Sequence, residues 1–214
     1  MRKLTLTFDN GPEPDVTPMV LDVLREHSVR ASFFVLGHKL ADPARRSLTE
    51  RAFSEGHWIG NHTYSHSIPL GMRHEPDAPE EEIGRTQKLL GRLAHPNRFF
   101  RPIGGGSLDN RLLSPAALDY IVRHRYTCVL WNCVPRDWVE PDRWPATALA
   151  EIERRPWTLM VLHDLPTRAM RHLDKFIIEA KATVEIVQEF PPECVPIAEG
   201  RIVRPIDSYV SKVR

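Results

Sequence analysis

Asp9 and Asn10 stand side by side after the apolar alternation Leu4, Leu6, Phe8 and before the breaker Gly11-Pro12. Adjacent polar side chains at the end of a buried strand could hold a metal ion or move a proton, and strand ends are where parallel α/β folds place their chemistry. Taken alone, Asp, Asn, Gly and Pro are also the commonest turn residues. Further chemistry-bearing residues follow later apolar runs: His62 and His66, Arg101, Asp137, His163 and Asp164. His62 and His66 are four apart, one helical turn, so both imidazoles can face one metal ion; the plainer reading is two surface loop histidines. Arg101 could pair with Asp9 and hold it ionised, or form an ordinary surface ion pair. Gly104 to Gly106 could turn backbone N–H groups toward a developing oxyanion, or make a flexible turn. His163, after Leu159-Met160-Val161-Leu162, is a candidate general acid, or a histidine satisfied at a barrel rim. Trp58, Tyr64 and Trp138 offer flat apolar faces to a sugar ring, or simple packing.

The elements that must position these residues are legible in outline. Thr17-Pro18 reads as an N-cap and first-turn proline, opening a helix to about His27. A buried strand over Arg30 to Leu36 ends at Gly37. Asp42-Pro43 caps a second helix that Gly56 stops. A short strand, His57 to Gly60, leads into Asn61-His62. After a polar loop, about Ser67 to Pro79, an amphipathic helix runs from Glu80 to Leu93 with acidic residues in its first turn. Arg98 to Arg101 is a strand, Ser114-Pro115 caps a helix to about His124, and Tyr126 to Trp131 is a strand. Helices of roughly Trp144 to Arg154 and Arg168 to Val187 flank a strand from Trp157 to Leu162. The tail from Val195 to Arg204 has extended character. Strand and helix alternate six or seven times with no linker, the pattern of a barrel-like or doubly wound α/β domain with parallel strands.

Composition narrows the class. The chain has 214 residues and is read as one domain over 1–214, with 42% hydrophobic residues to build a core. Lys and Arg total 29 against 28 acidic residues, a net charge of +1, which argues against nucleic acid or a membrane surface as partner. Cys128, Cys133 and Cys194 lack both disulfide-scaffold and zinc-site spacing. Met1-Arg2-Lys3 runs into the first strand without a signal-like apolar region, and with the cysteine usage this reads as a cytoplasmic protein. The oligomeric state is not legible.

Five segments then gain meaning together: Thr7-Phe8-Asp9-Asn10-Gly11-Pro12, Gly60 to His66, Arg101-Pro102-Ile103-Gly104-Gly105, Arg136-Asp137-Trp138 and Leu162-His163-Asp164. In order, they resemble the five motifs of the polysaccharide deacetylases, the NodB-homology family or carbohydrate esterase family four. The likeness runs from Leu4 to Asp164, and five ordered motifs are far more specific than any one. It implies a distorted (β/α) barrel of mostly parallel strands. It also implies metal-dependent hydrolysis of an N-acetyl group on an amino sugar or carbohydrate. By the same resemblance Asp9 is the general base, Arg101 orients it, and His163 is the general acid. Asn10, His62 and His66 hold a divalent metal, usually zinc, and a backbone N–H near Gly104 forms the oxyanion hole. Trp138 and Asp137 belong to the substrate side of the site.

Three departures stand out. Asn10 replaces a metal-binding aspartate, which lowers charge attraction for the metal and invites Asp9 in as a ligand; some family members carry this same Phe-Asp-Asn-Gly version. Gly104 stands where the family usually has an aromatic wall of the groove. Val134, three before Asp137, stands where the family usually has an acid that tunes the catalytic histidine, leaving Asp137 or Asp164 to substitute. Two classes of function follow. One is an amide hydrolase acting on an amino sugar, a nucleotide-linked sugar or a small cyclic or linear amide. The other is a carbohydrate-binding homologue that keeps the barrel and histidines without turnover.

Overall fold

A computed structural model describes residues 1–212; Val213 and Arg214, the end of the domain read as 1–214, lie outside the described residues. The first strand, β1 (Arg2–Asp9), shows how the sequence builds the site. Successive side chains on a strand point to opposite faces. Leu4, Leu6 and Phe8 therefore join one core cluster with Leu21, Leu24, Phe176 and Ile177 of the surrounding helices. Thr5, Thr7 and Asp9 take the other face, and all three are buried.

Around β1 the chain winds parallel strands and covering helices. These are α1 (Thr17–Glu26), β2 (Ser32–Val35), α2 (Pro43–Ser54), β3 (Trp58–Asn61), α3 (Arg85–Leu90), β4 (Phe99–Phe100), α4 (Pro115–Arg123), β5 (Thr127–Cys128), α5 (Trp144–Glu153) and β6 (Trp157–His163). The sheet runs β6-β1-β2-β3-β4-β5 with parallel neighbours throughout. The chain leaving β5 then bridges back to β6, Cys133 pairing parallel with Met160. That bridge brings the two ends of the curled sheet together, which is the distorted barrel expected.

The expected helix over Arg168 to Val187 is broken into three pieces. A 3₁₀ turn (Ala169–His172) leads into α6 (Leu173–Lys181), and β7 (Val184–Val187) then pairs with the start of β1. The β-branched run Val184, Ile186, Val187 favours the sheet over continued helix. Two short strands, β8 (Ile197–Ala198) and β9 (Arg201–Ile202), extend the β5 edge antiparallel. The helix expected over Glu80 to Leu93 starts with a π turn (Glu80–Gly84) and ends in a 3₁₀ turn (Gly91–Leu93). Asp42 and Ser114 do cap α2 and α4 through their side chains. Thr17 does not cap α1; Val16 holds that position, and the Thr17 hydroxyl donates to Asp164 instead. All three cysteines are buried and free. Among the described residues no helix is long and apolar enough to cross a membrane.

Candidate active site

Strand register brings the site together. Asp9 on β1 sits opposite His163 on β6. Asn61 on β3 sits opposite Phe100 on β4, so His62 and Arg101 leave adjacent strands side by side. These ends open on a cleft of about 400 Å³ lined by Asp9, Asn10, His62, His66, Trp138 and His163. Gly104 and Val134 also face it.

Arg101 is the buried centre of this end of the barrel, with no exposed surface. One terminal nitrogen donates to Asp9 Oδ1 at 2.8 Å and to Thr7 Oγ1 at 2.7 Å. Its Nε donates to the Val129 carbonyl at 3.1 Å, and its guanidinium lies 4.0 Å from the Phe34 ring centre. Burial alone would raise the Asp9 carboxyl, but Arg101, with His62 and His163, overrides burial and holds it below the usual carboxylate range.

His163 is tuned the opposite way. Its Nδ1–H donates to Asp137 Oδ1 at 2.9 Å, and its backbone N–H donates to Asp137 Oδ2 at 2.9 Å. Asp137 is fully buried and thus clamps ring and backbone together. Burial opposes charge on the imidazole, yet Asp137 prevails and raises its pKa above the ordinary value. The Trp138 ring stands edge-on to His163 with centres 4.7 Å apart. The missing acid at Val134 is therefore covered by Asp137. Asp164 is engaged elsewhere, its Oδ2 taken by the Thr17 hydroxyl.

His62 and His66 come together through a looped turn, not the helical spacing expected. Thr63 and His66 both have left-handed backbones, at φ 69° and 52°. Glu82, from the π turn, holds this loop by accepting from the Tyr64 and Ser65 backbone N–H groups at 3.0 and 2.9 Å. The two imidazole centres lie 4.9 Å apart. His62 Nδ1–H donates to the Arg101 carbonyl at 2.8 Å, which leaves the lone pair on Nε2, 3.6 Å from Asp9 Oδ2. Burial lowers the pKa of both rings, His66 to about 3, so both are neutral and free to ligate.

The donor set can be tested against a divalent cation. No cluster of three His, Cys, Asp or Glu side chains at metal-holding distances occurs among the described residues. The third donor on this cleft is the carboxamide of Asn10, whose Oδ1 is buried without any hydrogen-bond partner. An orphaned buried acceptor lining the same cleft as two neutral imidazoles is the arrangement a cation would satisfy. The residues fit the group, with one neutral oxygen in place of a charged one.

Trp58 and Tyr64 do not reach the cleft. Trp58 packs on His95, Phe99 and Phe190, and Tyr64 packs under Arg85. Trp131, which sequence reasoning passed over, does line the cleft. A Cβ at Gly104 would come 2.4 Å from the Trp131 ring, so that indole takes the room a side chain at 104 would need. Thr7 was missed as well, although the alternation Thr5, Thr7, Asp9 marked it as sharing the face of Asp9.

The polysaccharide deacetylase family model matches residues 1–122. The chain is 36% identical over 137 residues to a peptidoglycan-N-acetylglucosamine deacetylase of Bacillus cereus, covering 64% of this chain and 46% of that protein. It is 36% identical over 168 residues to a chitooligosaccharide deacetylase of Bradyrhizobium sp., covering 76% of this chain and 71% of that one. The solved family 4 acetyl xylan esterase of Clostridium thermocellum, in complex with a cobalt ion, aligns with a TM-score of 0.72 at 28% identity, over 87% of this chain and 88% of that one. The chain thus spans about half the length of the Bacillus cereus relative. With a family model matched across more than half of its length and these relatives beside it, this chain belongs to the polysaccharide deacetylase family.

Proposed function

We propose that the chain removes the N-acetyl group of an amino sugar in a carbohydrate, releasing acetate and a free amine. One observation carries this reading: two proton carriers of opposite tuning flank one cleft, Asp9 biased toward its ionised form by Arg101 and His163 biased toward its protonated form by Asp137. Hydrolysis of an amide needs this pair, a base to take a proton from water and an acid to give one to the departing nitrogen. Asp9 is the base and His163 the acid. His62, His66 and Asn10 would hold the metal, with zinc the best match to two imidazoles and one oxygen. When bound, the metal supplies Lewis-acid polarisation of the acetamido carbonyl and eases deprotonation of water. The Gly104 backbone N–H is the oxyanion donor of the protein itself. Trp131 and Trp138 give the sugar an apolar seat. Similarity to a peptidoglycan-N-acetylglucosamine deacetylase and to a chitooligosaccharide deacetylase supports an amino-sugar substrate.

The test is acetate release from N-acetylglucosamine oligomers by protein stripped with chelator and then reloaded with zinc. Turnover that depends on the metal and falls at least about a hundredfold in Asp9→Asn is expected. Absence of turnover on every N-acetylated sugar, unrescued by Asn10→Asp, would leave only a binding role.

A further inference from the structure

The loop that carries Asp9 and Asn10 is held by an arrangement the reaction chemistry does not use. Three consecutive carbonyls, those of Asn10, Gly11 and Pro12, each accept a hydrogen bond, and all three donors lie between positions 36 and 45. Lys39 Nζ donates to the Asn10 carbonyl at 2.6 Å. The Leu36 backbone N–H donates to the Gly11 carbonyl at 3.2 Å. The Arg45 guanidinium donates to the Pro12 carbonyl at 2.8 Å. Glu13, in the same loop, ties the two cations together: it pairs with Lys39 and, at 2.7 Å, with Arg45. The Lys39 side chain is only 11% exposed, so its charge is committed to these partners.

Asn10 needs this grip. Its backbone is left-handed, at φ 72°. Asparagine tolerates that region better than most residues but does not prefer it over right-handed or extended backbone. Its side-chain Oδ1 has no partner of its own to fix it. With no hydrogen bond on that oxygen, the backbone conformation limits where the carboxamide can reach, and the Lys39 bond acts on that same residue.

We propose that Lys39 is a positioning residue of the metal corner, holding the Asn10 backbone so that its carboxamide oxygen is presented beside His62 and His66. The proposal rests on the metal-holding reading above. A neutral third ligand contributes less attraction than a carboxylate, so this site depends more on pre-organised geometry than one with aspartate at position 10.

The experiment is zinc titration of chelator-stripped protein by calorimetry, with cobalt absorption spectra as a second readout of coordination. Lys39→Met is compared with Lys39→Arg and the unaltered chain, and urea denaturation of the stripped proteins records stability separately. Loss of support of this kind costs about 10–100-fold in metal affinity. Lys39→Met is expected to lose that much and change the cobalt spectrum, beyond any effect of stability, and Lys39→Arg to recover much of it. Where Lys39→Met does not fold, Lys39→Gln, whose amide nitrogen ends one atom short of Nζ and carries no charge, takes its place with the same expectation. Zinc affinity within about twofold of the unaltered chain, with the same cobalt spectrum, overturns the proposal and leaves the metal site intact. An unaltered chain that binds no zinc overturns the metal-holding reading and this proposal with it.

Discussion

Replacing Asp164 by asparagine probes the layer directly behind the site. Asp164 is fully buried; its Oδ2 accepts from Thr17, and its Oδ1 has no partner. Burial, opposed by Thr17 and Lys39, pushes its carboxyl from 3.8 up to about 7. The sign follows from linkage. Below pH 3.8 the side chain is protonated both folded and unfolded, and costs nothing. Between 3.8 and about 7 the unfolded chain releases the proton while the folded chain keeps it, so stability falls as pH rises. Above about 7 the loss levels off. At about 1.4 kcal/mol per pH unit, the full span is on the order of 4 kcal/mol. The carboxamide introduced by Asp164→Asn is neutral throughout and keeps an acceptor for Thr17. Its N–H₂ takes the place of an already unpartnered oxygen, an offset of about 1–3 kcal/mol that does not vary with pH. The observable is therefore the change in the gap between variant and parent, measured by urea denaturation in chelator at about pH 5 and pH 8. Asp164→Asn should gain on the parent by roughly 2–3 kcal/mol over that interval. A gap constant to within about 0.5 kcal/mol would mean that Asp164 ionises normally, and would refute the reasoning.

Other outcomes follow from the same geometry. Asp137→Asn removes the carboxylate that raises His163; a general acid must hold its proton, so the high-pH limb of kcat/KM should move to lower pH, and an unmoved limb would exclude His163 as the acid. Arg101→Met leaves Asp9 buried beside no guanidinium and should destabilise the protein by about 3–5 kcal/mol near neutral pH in urea denaturation. Asn10→Asp adds a charged donor and should tighten zinc by about tenfold or more in calorimetry.

The alternation of Leu4, Leu6 and Phe8 made β1 legible, and near-continuous apolar runs, the mark of strands buried on both faces, did the same for β2 and β6. The chemistry-bearing residues were legible for a related reason: they follow those runs directly, and parallel register carries each one to the same rim. What stayed hidden depends on contacts between distant segments. Thr17 has the right type for a cap, yet a buried carboxyl 147 positions away took its hydroxyl. Trp58 and Tyr64 sit beside motif residues in sequence, but strand alternation and the turned loop point them elsewhere. Of the two candidate partners of His163, Asp137 and Asp164, the choice of Asp137 was decided only by the bridge that brings the chain after β5 against β6. Lys39 gave no periodic signal, since a lysine in a 3₁₀ turn looks like any solvated residue until its carbonyl partner is known.

The most direct test of the metal corner is anomalous diffraction from a crystal soaked in zinc. The predicted result is one strong peak at the cleft, about 2.0–2.2 Å from a nitrogen of each of His62 and His66 and from Asn10 Oδ1, with Asp9 still bound to Arg101. A peak ligated by Asp9 in place of Asn10 would contradict the assignment, because Asp9 could not then serve as the base. So would no peak at these residues at all.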